Sequence, residues 1–217
     1  MNVLLHLAAV SGGILYLMPL LLLVVLFVAL ERGWALALLL RRGDALLRDL
    51  QDTRGREALG RALAKASSGP QRAVLTAVLG SHDLNSGEAY AEEAMLAQAP
   101  VLDRGLWILD TAVTLAPLLG LLGTIIGMFN AFQILGNPDT APTAITGHVA
   151  EALVATATGL AIAIIGLVFF NGLNQRVRLV LHQMERIKVG TLNRLYRQPV
   201  SAPGEASVSL LVRRGEN

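Results

Sequence analysis

A carboxylate, Glu151, and two hydroxyls, Thr124 and Thr156, stand in stretches that otherwise hold almost only apolar and small side chains. An ionisable group in such surroundings is expensive by a few kcal/mol unless it faces water, a partner or a proton path. The chemistry this trio suits is proton movement, with a carboxylate to take up and release the proton and hydroxyls to line a narrow polar conduit. Thr158 lies close in angle to Glu151 on a helix and belongs with it, and His148 precedes Glu151 by three residues on the same side. Each residue also has a plainer reading. Glu151 and His148 could sit at a membrane interface, since Gly147 is only four positions from the carboxylate. A membrane threonine commonly bonds the carbonyl of its own preceding turn.

Nothing else in the chain resembles an active site. There is no cysteine, which removes disulfides, thiol catalysis, zinc ribbons and iron–sulfur ligation. The histidines His6, His82, His148 and His182 are scattered, so no metal centre is expected. P-loop, GxSxG and HExxH patterns are missing. The expectation is a non-enzyme without cofactor or metal.

The elements that must position these residues are membrane helices. Of 217 residues, 53 % are hydrophobic and 16 % charged, where a soluble domain carries about 25 % charge. No charged residue falls in Val3–Leu30, Thr111–Pro138 or Ala152–Gln175. Each stretch exceeds the ~20 residues that a ~30 Å hydrocarbon core requires. The first has its positive flank on the wrong end for a signal peptide and lacks a cleavage site, so it reads as a retained span.

Ten of the eighteen basic residues lie between Glu31 and Asp110 and the other eight follow Gln175. The positive-inside rule then puts the middle segment and the tail in the cytoplasm, with the N-terminus and the short connection outside. Trp34 and Trp107 mark the cytoplasmic ends of the first two spans. Asp44–Ala66 and Ser86–Gln98 read as helices, punctuated at Ser67–Pro70 and Ser81–Gly87. Val177, Val180, Leu181, Met184 and Ile187 continue the third span as an amphipathic helix. Acidic and basic residues cancel in the middle segment, which disfavours nucleic acid as a partner. The expected division is residues 1–40 (outer N-terminus and first span), 41–105 (cytoplasmic helices), 106–136 (second span), 137–146 (outer loop), 147–198 (third span and its extension) and 199–217 (loose tail). The fold class is all-α, a three-span helical membrane protein with long cytoplasmic extensions.

Two stripes of small residues run along the second and third spans. At ~100° per residue, Ala116, Gly120, Gly123, Gly127 and Ala131 share one face, and Ala152, Ala155, Gly159, Ala163 and Gly166 another. Lipid gives helices no hydrophobic drive to associate, so small stripes are what lets backbones approach. Packing between subunits is expected here; packing inside one subunit accounts for the glycines equally well. Thr124 is 17 residues from Trp107 and Thr156 is 15 from Asn171, or ~25 and ~22 Å, which places the hydroxyls at similar depth.

Two blocks carry a family resemblance: Ala116-Pro117-Leu118-Leu119-Gly120-Leu121-Leu122-Gly123-Thr124-Ile125-Ile126-Gly127 and Val149-Ala150-Glu151-Ala152-Leu153-Val154-Ala155-Thr156-Ala157-Thr158-Gly159-Leu160. With Phe170–Arg176 they resemble the proton-channel family of the TolQ, ExbB and MotA subunits of ion-driven inner-membrane motors. One departure is Gly147-His148, where many relatives carry Pro-Gly. The resemblance implies that Thr124 and Thr156 line a central pore and that Glu151 serves coupling. It also implies a homo-oligomer, pentameric in the family, around an ExbD- or TolR-like single-span protein whose membrane aspartate carries the proton. The expected role is ExbB-like, powering a TonB-type transducer for outer-membrane uptake from the bacterial inner membrane. The alternatives are a TolQ-like role in envelope maintenance with a TolA-like transducer, toward which Leu173-Asn174-Gln175-Arg176-Val177 leans, and a membrane scaffold that conducts nothing.

Overall fold

A computed structural model of the protein describes residues 14–51, 53, 55–135 and 142–196. Among these residues six helices follow one another: α1 (Ile14–Gln51), α2 (Arg56–Lys65), α3 (Pro70–Leu79), α4 (Leu84–Asp103), α5 (Leu106–Leu135) and α6 (Pro142–Tyr196). No strand occurs among the described residues, so the all-α class holds. Helices α1, α5 and α6 are each long and apolar enough to cross a membrane. The outer N-terminus and the tail expected at either end lie mostly outside the described residues.

The helix boundaries follow from local chemistry. Gly55 adopts a φ of 83°, a conformation glycine reaches without Cβ strain, and here the chain passes from α1 to α2. The single helix expected over Asp44–Ala66 is therefore two. Pro70 occupies the first turn of α3, where its missing N–H has no helical partner to lose; this helix had not been anticipated. At the start of α4, Asp83 accepts the Ser86 backbone N–H at 2.7 Å, and the Asp83 N–H donates to Ser86 Oγ at 3.3 Å. This reciprocal cap starts the helix at Leu84, two residues before the expected place. Gly105, at φ 81°, turns the chain from α4 into α5. α6 begins at Pro142, inside the segment expected as a loop, and runs unbroken for 55 residues.

The chain divides into two compact units, residues 1–40 with 99–180 and residues 41–98 with 181–217. In the first, the buried side of α5 is Leu109, Ala112, Ala116, Gly120, Gly123, Gly127 and Ala131. Ala152 and Ala155 of α6 lie against it, and Ile162 and Ala163 of α6 and Met18, Val25 and Ala29 of α1 are buried as well. The opposite side of α5 exposes Leu118, Leu121, Ile125, Phe129 and Phe132, an apolar surface suited to lipid or to other membrane helices. Trp34 and Trp107 are exposed as well.

In the second unit Leu46, Leu50, Leu59, Val74, Leu75, Val78, Met184, Ile187 and Leu192 form the core. A polar chain runs from it to the surface at Asp44. The Gln71 amide donates to Gln183 Oε1 at 3.0 Å, and the Gln183 amide donates to Asp44 Oδ1 at 2.8 Å. Gly43 makes room for this chain, because a Cβ there would stand 2.7 Å from Gln71 Nε2 and collide with Gln183 Oε1.

Candidate functional site

The small stripes of α5 and α6 meet each other within one chain. A Cβ at Gly120 would lie 3.0 Å from the Ala155 carbonyl oxygen and from Thr156 Cα. One at Gly127 would lie 2.7 Å from Ala152 Cβ, and one at Gly159 would run into the Ala116 carbonyl oxygen. Gly166 abuts Val113 of α5 and Val25 of α1. These faces form an intramolecular seam, the second of the two packings that the sequence left open. The stripes are complementary to each other, and close backbone approach is satisfied without a second copy.

The seam fixes the threonines. Thr156 donates its hydroxyl across it to the Gly120 carbonyl at 2.8 Å, using that oxygen's second lone pair. Thr124 and Thr158 bond their own helix, at Leu121 O (2.6 Å) and Val154 O (2.8 Å), the local pattern common to membrane hydroxyls. All three oxygens keep acceptor capacity toward water.

Depth and side follow from the pairings. Gly120 faces Ala155 and Thr156, and Gly127 faces Ala152 and His148. Thr124 therefore stands level with Ala152 and Glu151, and Thr156 lies one turn, about 6 Å, further along. The similar depth expected for the two hydroxyls is off by that turn, because α5 and α6 do not start level at Trp107 and Asn171.

Taking ~100° per residue, Thr124 sits about 60° past the centre of the α5 stripe and Thr156 about 60° past that of the α6 stripe. Antiparallel helices wind in opposite senses when viewed along one direction, so equal positive offsets bring both hydroxyls to the same flank of the seam. Glu151 falls about 80° and Thr158 about 100° on the negative side of the α6 centre. By helical period, Thr124 and Thr156 share one flank of the seam and Glu151 and Thr158 the other.

Glu151 has company that its sequence position only hinted at. His148 Nδ1 is 3.8 Å from Glu151 Oε2, and the two side chains are 19 % and 18 % exposed. The i,i+3 spacing was the available signal. Among the described residues no group of histidine, cysteine or carboxylate ligands could hold a metal ion.

α5 and α6 thus present a small-residue seam flanked by hydroxyls and by a shielded carboxylate. The profile of the MotA/TolQ/ExbB proton channel family matches residues 56–186, more than half of the chain, and the chain belongs to this family. Biopolymer transport protein ExbB-like 1 of Synechocystis sp. is 33 % identical over 217 residues, covering 93 % of this chain and 83 % of that protein. ExbB-like 3 of the same organism is 36 % identical over 119 residues, covering 52 % of this chain. The match to ExbB-like 3 takes in 55 % of its length, so the chain spans about half of that relative. A chain of the C. jejuni MotAB structure aligns over 93 % of this chain and 82 % of its own length, with 17 % identity and a TM-score of 0.44. The protein is a multi-pass membrane protein of a proton-channel family.

Proposed function

We propose that the chain is the channel subunit of an inner-membrane complex that uses proton flow to drive a TonB-type transducer for outer-membrane uptake, an ExbB-like role. The observation that carries this reading is Glu151, 18 % exposed, the one acidic residue among residues 17–30, 111–135 and 146–175 and level with Thr124. A carboxylate held there is costly unless protons reach it, and the membrane potential supplies ~2.3 kcal/mol per charge per 100 mV to drive them. Thr124 and Thr156 line the polar path from one flank of the seam, and Thr158 supports Glu151 on the other. Gly120, Gly123, Gly127, Ala155, Gly159, Ala163 and Gly166 hold the seam on which both flanks depend.

On this reading the subunit forms a homo-oligomer, pentameric as in the resemblance, around an ExbD- or TolR-like single-span protein whose membrane aspartate completes the path. The N-terminus and the α5–α6 connection face the periplasm, and the middle segment and tail face the cytoplasm. ExbB in the names of the relatives supports the TonB-type role. The experiment is growth of cells on a scarce iron chelate with Thr124→Val, Thr156→Val and Glu151→Ala variants, with assembled protein measured alongside. Loss of growth at normal assembly supports the reading. Full growth supports a scaffold, and loss of detergent resistance with normal iron uptake moves the role to the TolQ-like system.

A further inference from the structure

His148 is a titratable side chain that the path just described leaves without a task. Its Nδ1 is buried and makes no hydrogen bond, and Glu151 Oε2 stands 3.8 Å from it. Both side chains are about four-fifths shielded, at 19 % and 18 % exposure. The helices packed around them add no competing charge. Residues 17–30 of α1, 111–135 of α5 and the rest of 146–175 in α6 contain no other acidic, basic or histidine residue. An imidazole nitrogen withdrawn from water and left without a partner is unfavourable, so this placement calls for a partner in some working state. His148 also lies two residues inside the start of the apolar stretch Thr146–Tyr196, which puts it between Glu151 and the aqueous side at which α6 begins.

We infer that His148 and Glu151 form a two-member proton relay at that end of the span, with the imidazole delivering protons to the carboxylate. The step balances. A proton from water binds Nε2, the proton on Nδ1 passes to Oε2 of the ionised Glu151, and the ring is left neutral as the other tautomer. Exchange with water restores the starting tautomer: the ring turns its nitrogens toward the aqueous side, Nδ1 takes up one proton, Nε2 gives one up, and the ring turns back. The present 3.8 Å separation closes to hydrogen-bond length by side-chain rotation, as relay contacts commonly tighten in the working state. Histidine suits the role because its charge changes between pH 5 and 8, where few side chains change theirs. The relay rests on the proposed reading that Glu151 exchanges protons, and it adds the route by which they arrive.

The test is proton influx into membrane vesicles from cells in which variants of the full chain replace the parent beside its native partners, measured with a pH dye between pH 5 and 8. His148→Ala should slow influx at least tenfold and flatten its pH dependence, and imidazole added on the side where α6 begins should restore a large part of the rate. His148→Gln, which keeps a polar side chain, carries the same test if the alanine variant fails to accumulate, and should also be slow. Glu151→Gln should be slow with or without imidazole. Parental influx and an unchanged pH profile in both His148 variants would overturn the relay while leaving the Glu151 reading intact. A slow His148→Ala whose pH profile is parental and which imidazole does not help would assign His148 a structural role and equally overturn it. Parental influx in Glu151→Gln would instead remove the reading on which the relay rests.

Discussion

Replacing Gly127 by alanine tests the α5–α6 seam with a single methyl group. The added Cβ would lie 2.7 Å from Ala152 Cβ and 3.3 Å from Ala152 Cα and the His148 carbonyl oxygen, where packed carbon atoms keep about 3.5–4.0 Å. The helices must part by about 1 Å, which forfeits a quarter to a half of the dispersion attraction at each contact opened. The same movement stretches the 2.8 Å bond from Thr156 to Gly120, a further loss of about 0.5–1.5 kcal/mol. The total expected is about 1–3 kcal/mol, the usual effect of overpacking a core. Because the obstructing atom is the methyl of Ala152, adding Ala152→Gly should recover most of it, with a coupling of about 1–2 kcal/mol in a double-mutant cycle. Gly172→Ala in α6 is the control, since nothing lies within 4 Å of a Cβ there. Unfolding of the protein in lipid nanodiscs, followed by circular dichroism, gives the comparison. Equal stability of Gly127→Ala and Gly172→Ala, or no recovery in the double variant, would refute the seam.

Two further outcomes concern the unit of residues 41–98 and 181–217. Gln183→Ala takes away the acceptor of the Gln71 amide and the donor to Asp44, and should destabilise that unit by about 1–3 kcal/mol, as for other broken buried hydrogen bonds; thermal unfolding reads this directly. The Asp83 carboxyl is held below the usual carboxylate range by the Ser86 backbone N–H first and then by the Ser86 hydroxyl. A lowered folded value gives stability that is present above the unfolded value near 3.9 and is lost as the pH falls through the folded value. Asp83→Ala should therefore melt earlier than the parent at neutral pH, with the difference shrinking in acid.

What the sequence could convey was set by how far each feature depends on one helix alone. The three spans follow from uncharged length, and the stripes through Gly120 and Gly159 follow from helical period, so both were legible. Which stripe meets which was not, because Gly127 opposite Ala152 would read the same between subunits as within one. The one-turn offset between Thr124 and Thr156 depends on the axial register of two helices, and counting from Trp107 and Asn171 does not fix that register. The flank carrying Glu151 comes from the opposed winding of antiparallel partners, which appears only once the seam is known. The break at Gly55 was hidden because Asp44–Ala66 keeps helix-forming composition on both sides of one glycine. The Gln71–Gln183 chain joins residues 112 apart in sequence, and no local pattern marks it.

The most direct test of the account is voltage-driven proton influx into membrane vesicles, normalised to assembled protein, for the parent, Glu151→Asp and Glu151→Ala. The account predicts normal assembly in all three, with partial influx for the aspartate, whose carboxylate is one methylene short. The alanine variant should conduct at least tenfold less than the parent. Parental influx in Glu151→Ala at normal assembly would contradict it.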